Sequence, residues 1–398
     1  MKKEKHFCKD CGGAQVNHKL TYCGVLLGSF MDPWIRFMGK IVPEESLEWM
    51  GPGFIKTFKF LGLGKTTSTP SEKNSYRTRV LWEEAQQRGI NMVEFHMFNL
   101  GGDLFLSKYK DKNIRFFDVL PRPKGWDQAG LFWMDNKNEM KKRFKKVGIP
   151  VANGTIARNK KQALKIFGKL NKPVITKPHI GSRSRHTHTH EGDEQSFLAG
   201  FENAQMLSPW VMIEEELSGF VHRGTLINKK LEGVLRREPA YVTGDGAHTV
   251  RELIKIENKN PLRAGPIFHQ IEIGEDSDKE LANWGRTYGT IPSQGEVVTL
   301  GYKTSRAVGG GITDVTDNMH PDNIALLEKV AETVNDPLIG VDFIIEDVSK
   351  SWKEQDRCGI IECNSTPFID LHHYPLVGKP RNIAGKLWDI IYPESTPK

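Results

Sequence analysis

Two late stretches, PLIGVDFIIEDV (337–348) and RCGIIECN (357–364), decide the reading. Each is a short apolar run, rich in β-branched residues, with an acidic residue set inside it. That pattern predicts a strand. The largely polar segment Ser349–Arg357 joins them, which predicts a hairpin. Period-two alternation puts Glu362 and Asn364 on one face of the second strand, and Asp342 joins them if the strands pair. Two carboxylates and an amide oxygen converging from a rigid sheet are hard ligands suited to Mg²⁺. The plain alternative is an Asp and a Glu at strand ends. Charge inside apolar strands is costly unless compensated, which favours the metal.

Working outward, Lys177 follows the apolar run PVIT and precedes Pro178. Lys137 opens a helix expected over Asn136–Val147, capped by Asp135 and stopped by Gly148 and Pro150. A lysine at such an end is a compact charge that reaches a phosphate; alone, each reads as a surface lysine. In IEEELSGFVHR (213–223), Glu214, Glu215 and Leu217 end a strand that would edge an adenine pocket. A solvated acidic strand end is the plain alternative there.

The order of these signals resembles the ATP-grasp fold, in which two α+β subdomains close on ATP. More narrowly, the chain resembles the ATP-grasp module of cyanophycin synthetases. REPAYVTGDGAHTVRELIKIENKNP (237–261), GGGITDVTDNMHPDN (309–323), GVDFII and the run from IIECN to Pro393 each match a segment of that group, in order. The resemblance implies an α+β ATP-grasp domain over 131–398, with a small lid subdomain at about 145–218. A small α/β lobe over 74–130 precedes it. It also implies a carboxylate–amine ligase that is ADP-forming, passes through an acyl phosphate and acts on amino acid or short-peptide substrates. Carried over by position, Lys137 and Lys177 contact the ATP phosphates. Glu214, Glu215 and Leu217 line the adenine. Asp342, Glu362 and Asn364 hold two Mg²⁺ ions. Lys303 and Arg306 are candidate acyl-phosphate stabilisers, and Arg381 in GKPR is a candidate carboxylate anchor. Homo-oligomerisation is a further implication.

The sequence departs from that group in four places. No Mur-ligase-like domain follows, so iterative polymerisation by two coupled sites is not expected. The loop after Lys177, usually glycine-rich, reads HIGSRSRHTHTHEGDE (179–194). Arg183 and Arg185 make it cationic, so closure over the triphosphate through charge is expected. Its alternating histidines are a weaker candidate for a metal site. Val221 stands where an acidic ribose ligand is often found. Residues 1–73 have no counterpart; their Cys8, Cys11, His18 and Cys23 are a candidate Zn²⁺ set, with reduced, metal-free cysteines as the alternative. GLGKTT (62–67) is not a P-loop, because Phe60 stands where the first glycine belongs. Gly62–Lys73 reads as a linker.

The net charge is +7, with the cations spread along the chain. Nucleic-acid binding is therefore not expected. The apolar stretch Leu20–Met31 is too short to span a bilayer and is expected in the core. MKKEKHFCKDCGG carries no signal-peptide pattern, so a cytoplasmic protein is expected. Three other readings remain: a ligase that modifies a protein or cell-wall peptide, a nucleotide-binding regulator without turnover, and a zinc-ribbon nucleic-acid binder. The intact Asp342/Glu362/Asn364 set argues against the regulator, and the zinc ribbon explains only the first residues.

Overall fold

The computed structural model describes residues 8–11, 16–41, 56–71, 74–97, 100–116, 120–123, 126, 133–134, 136–179, 185–301 and 303–397. The first sheet is an antiparallel meander: β1 (Gly64–Thr67), β2 (Asn91–Met97), β3 (Leu100–Tyr109) and β4 (Lys112–Phe116). Helix Tyr76–Gln87 packs on it, capped by Ser75, whose hydroxyl accepts from the amide of Thr78 at 3.3 Å. Part of the stretch expected as a linker is thus β1, paired with β2 from Gly64↔Met97 to Thr67↔Glu94. Likewise LGGD (100–103), turn-like in composition, lies inside β3. Neighbouring-strand pairing decided both, and short-range turn composition cannot report it.

The second sheet has the order β5 (Gly154–Ala157), β8 (Val211–Glu215), β6 (Val174–Pro178), β7 (His188–Glu191), all antiparallel. Helices Lys160–Phe167 and Glu194–Gln205 cover one face. Phe167, Phe197 and Phe201 fill the space between, the first two rings stacked 4.3 Å apart. This layer falls within the stretch expected as a small lid subdomain, and we call it the lid.

The third sheet carries the deciding stretches. β9 (Phe220–Ile227) turns into β10 (Lys230–Glu238) through Asn228 and Lys229, both at positive φ, the backbone a tight two-residue hairpin requires. An insertion follows, with β11 (Tyr241–Thr243) paired to β12 (Val297–Thr299) around a small core of its own. The chain returns as β13 (Gly311–Asp314), β14 (Leu338–Ile345) and β15 (Gly359–Asn364), giving the order β13-β10-β9-β14-β15. Helix Pro321–Val334 packs against this sheet through Leu327, Val330 and Val334. Helix Lys137–Lys146 joins the same core through Met140 and Phe144. Its cap is Asn136, whose side chain accepts from the Glu139 amide at 3.1 Å; Asp135 lies outside the described residues.

Helix His18–Ile41 corrects an expectation. Leu20, Leu27 and Phe30 are 71%, 62% and 75% exposed, so these residues do not enter the core. Among the described residues, no helix is long and apolar enough to cross a membrane.

Candidate active site

β14 and β15 pair as the hairpin requires, and Asp342 lies opposite Glu362. On the other side of β14, Asp342 lies opposite Arg223 of β9. The Arg223 guanidinium grips Asp342 through two bonds of 2.6 Å. Burial draws the Arg223 pKa down, but Asp342, Glu362 and Asp370 outweigh it. Asn364 follows Glu362 at period two, and its Nδ2 is buried without a hydrogen-bond partner among the described residues. Two carboxylates, an amide and an unspent amide donor fit Mg²⁺ together with a phosphate oxygen.

The lid faces this edge with cations. Lys177 on β6 and Lys141 on helix Lys137–Lys146 both pair with Glu214 of β8, which is 1% exposed. Burial, with the neighbouring Lys137, lowers the Lys177 pKa to about 7 against the pull of Glu362. Burial, then Lys177, Lys145 and Lys137, takes Lys141 well below the ordinary range. His179, two residues past Lys177, is kept neutral at neutral pH by burial and by Lys137, with a pKa of about 4. Its Nδ1 is buried and lacks a partner among the described residues. Two lysines share one buried carboxylate, with Lys137 close by, and an anion would complete this set.

The other wall is formed by arginines. Burial lowers the Arg237 pKa, and the groups that act on it next are Asp342, Arg223, Arg306 and Glu362. Burial also lowers Arg306, opposed by Asp370. Arg223 and Arg237 therefore gather beside the acid pair, while Arg306 stands by Arg237 and Asp370 and donates to the Ile267 carbonyl at 3.2 Å.

The structure brings together Lys137, Lys177, Glu214, Asp342, Glu362 and Asn364, and Arg306 joins them only through Arg237 and Asp370. The remaining candidates stand as follows. The Glu215 carboxylate accepts from Asn153 and Asn171 at 3.0 Å, which pins the connection into β6 rather than a base. Leu217 is half-buried in the short link between β8 and β9. Lys303 pairs with Asp276 of the insertion at 2.8 Å. Arg381 spends its fork on Asp314, with two bonds of 2.8 Å, and on Asp317 at 2.8 Å, so it clamps β13 to the final segment and is not open to a substrate carboxylate. Arg185 lies near Cys11. Arg183 falls outside the described residues. The zinc expectation is corrected at one ligand. Cys23 is exposed on the helix, and His186 stands with Cys8, Cys11 and His18 instead. The alternating histidines disperse, with His190 facing Glu216 at 3.0 Å, so they form no site of their own.

Sequence reasoning missed Lys141, Arg223, Arg237 and Asp370. Lys141 had a signal, since it sits one turn after Lys137 on the same helix face. Arg223 had none: only the strand register sets it across from Asp342.

The solved bifunctional glutathione synthetase from Pasteurella multocida superposes with a TM-score of 0.64 at 26% identity, over 80% of this chain and 43% of that one. The fold is ATP-grasp. Sequence relatives agree with this ATP-grasp assignment. The cyanophycin synthetase of Geminocystis herdmanii is 32% identical over 270 residues, 66% of this chain and 30% of that protein. The glutathione biosynthesis bifunctional protein GshAB of Streptococcus mutans is 32% identical over 275 residues, 67% of this chain and 36% of that protein. No family model matches. The chain thus spans about a third of the length of these curated relatives.

Proposed function

We propose that this chain is an ADP-forming, ATP- and Mg²⁺-dependent carboxylate–amine ligase acting on amino acids or short peptides. The observation that carries the reading is the Lys177–Glu214–Lys141 set facing the Asp342/Glu362 pair, with Arg223 and Arg237 beside it. The nature of the relatives supports the same chemistry. A carboxylate is a poor acylating agent because oxide would have to leave. Phosphorylation by ATP makes phosphate the leaving group, and the amine then attacks the acyl carbon. Lys137, Lys141 and Lys177 hold the triphosphate. Asp342, Glu362 and Asn364 would hold two Mg²⁺ ions, which would supply charge neutralisation for a transferring phosphoryl group. Arg237 and Arg306 stabilise charge on the acyl phosphate and on the tetrahedral oxyanion. Arg223 holds Asp342 in place. Consumption of ATP and five free cysteines suit the cytoplasm.

The test is Mg²⁺-dependent ADP release against pooled carboxylates and amines, for the wild type and Glu362→Gln. The expected result is turnover with particular pools only, falling at least a hundredfold in the variant. Turnover indifferent to both acceptor and variant would overturn the reading.

A further inference from the structure

Cys8, Cys11, His18 and His186 offer four ligand atoms that all lie within 4.8 Å of one another. Cys8 Sγ is 3.5 Å from His186 Nε2, Cys11 Sγ is 3.2 Å from His18 Nε2, and Cys11 Sγ is 3.3 Å from His186 Nε2. A tetrahedron with ordinary Zn–S and Zn–N bonds has S···N edges of about 3.6 Å. These three edges are therefore within a few tenths of an ångström of zinc geometry, and the remaining ones are no longer than 4.8 Å.

Hydrogen bonding alone accounts poorly for this arrangement. Cys11 Sγ faces two imidazole nitrogens but carries only one proton. His186 Nδ1 lies 2.8 Å from the carbonyl of Asn203, so Nδ1 bears the ring proton and Nε2 turns a lone pair toward both sulfurs. Asn203 is itself held, donating to the Asp10 carboxylate at 2.7 Å, and the His186 amide donates to the Asp10 carbonyl at 3.1 Å. Outer partners that fix the ring and its tautomer in this way are what metal-bound histidines carry. His186 also holds a φ of 51°, a left-handed conformation rare for a residue with a Cβ, and its surroundings keep it there. The Cys8–Cys11 turn closes through the Cys11 amide to the Cys8 carbonyl at 3.2 Å, presenting both sulfurs to one side.

We infer that Cys8, Cys11, His18 and His186 form a structural zinc site that staples the N-terminal segment to the lid. Two thiolates and two neutral imidazoles balance the charge of Zn²⁺, and binding releases the two thiol protons to solvent. No coordination position is left open, as in a structural rather than a catalytic centre. Three ligands come from the first turn and the start of helix His18–Ile41. The fourth comes from the lid, two residues before β7, the partner of the strand that carries Lys177. The metal thus roots the exposed helix on the lid and fixes the chain leading into β7. The staple does not depend on the ligase reading.

The experiment measures zinc per chain in the full-length protein, purified without chelator, together with the absorption spectrum after replacement by Co²⁺. One zinc per chain is expected, with a tetrahedral cobalt spectrum that includes thiolate charge-transfer bands. His186→Asn and Cys11→Ser should each lose the stoichiometric metal, and Cys23→Ser should keep it. A wild type that takes up no zinc from a zinc-supplemented buffer would overturn the site. So would a His186→Asn variant with unchanged stoichiometry and cobalt spectrum. The cobalt spectrum of the wild type alone still decides the thiolate and tetrahedral assignment if a variant fails to fold. Because nothing in this readout involves ATP, a metal-free protein that still turns over would fail the staple and leave the ligase standing.

Discussion

At the scale of single residues, the lid carries a charge defect that sets a pH dependence. Glu191 on β7 is buried, and only one of its carboxylate oxygens is bonded, to the Thr176 hydroxyl at 2.8 Å. Burial raises its pKa to about 8; the Thr176 bond opposes this and Glu216 adds to it. Its unfolded value is near that of an ordinary glutamate, so between roughly pH 4.5 and 8 the folded lid binds more protons than the unfolded chain. The sign follows: stability falls as pH rises through that window, by up to about 1.4 kcal/mol per unit. Glu191→Gln keeps the Thr176 contact and removes the titration. Its thermal midpoint should exceed the wild type's at pH 8 and show a flatter pH profile. Equal profiles would mean that Glu191 is ionised in the fold. Residue-level legibility divides in the same way. Glu362 and Asn364 were readable as one face because period two acts within one strand, and Asp342 followed from the short hairpin that pairs its strand with theirs. Glu191, Arg223 and Arg237 owe their state to neighbours far away in sequence, and no local pattern announces them.

At the scale of elements, the hinge between lid and main sheet rests on one side chain from the β14–β15 connection. Arg357 donates to the carbonyls of Glu216 at 2.8 Å and of Lys172 and Pro173 at 2.9 Å. Its own carbonyl accepts from the Ser218 amide at 2.8 Å. Beside it, Gly219 sits at a φ of 109°, and a Cβ there would meet the Glu346 nitrogen at 2.4 Å. The β14–β15 connection and the exit of the lid are thereby locked together. The hairpin itself was legible from its apolar runs and polar turn. Its second duty was not, because Arg357 looks like any polar turn residue until the lid's carbonyls are in place. Arg357→Ala leaves the Glu216 and Lys172 carbonyls without this donor, while Pro173 keeps the Glu216 amide at 3.0 Å, a cost of about 1–3 kcal/mol. Hydrogen exchange should quicken across β5, β6 and β8 while β9 and β14 stay protected. Uniform quickening over both sheets would mean that Arg357 supports the whole body and not the hinge.

At the scale of the molecule, the chain's last helix completes the core of its first sheet. Helix Ile383–Ile391 packs against helix Tyr76–Gln87, with the Trp388 indole donating to the Leu81 carbonyl at 2.9 Å. Arg88 reaches Asp389 at 2.6 Å, and Tyr392 meets Ser107 of β3 at 2.9 Å. The same apolar cluster takes in Ile227 of β9 and Leu338 of β14. The early lobe and the main sheet therefore share one hydrophobic body. Ordered motifs made the ATP-grasp class legible, since each lies within a few dozen residues. This closure joins residues some three hundred positions apart, and amphipathic pattern alone does not choose among partners. A shared core should unfold as one. Trp388→Ala removes a fully buried ring and should cost about 3–5 kcal/mol. In urea, the exchange protection of β2–β3 and of β9–β14 should then be lost at a common, lower midpoint. If the first sheet opened alone while β9–β14 kept the wild-type midpoint, the lobe would be a separate folding unit resting on the ATP-grasp body.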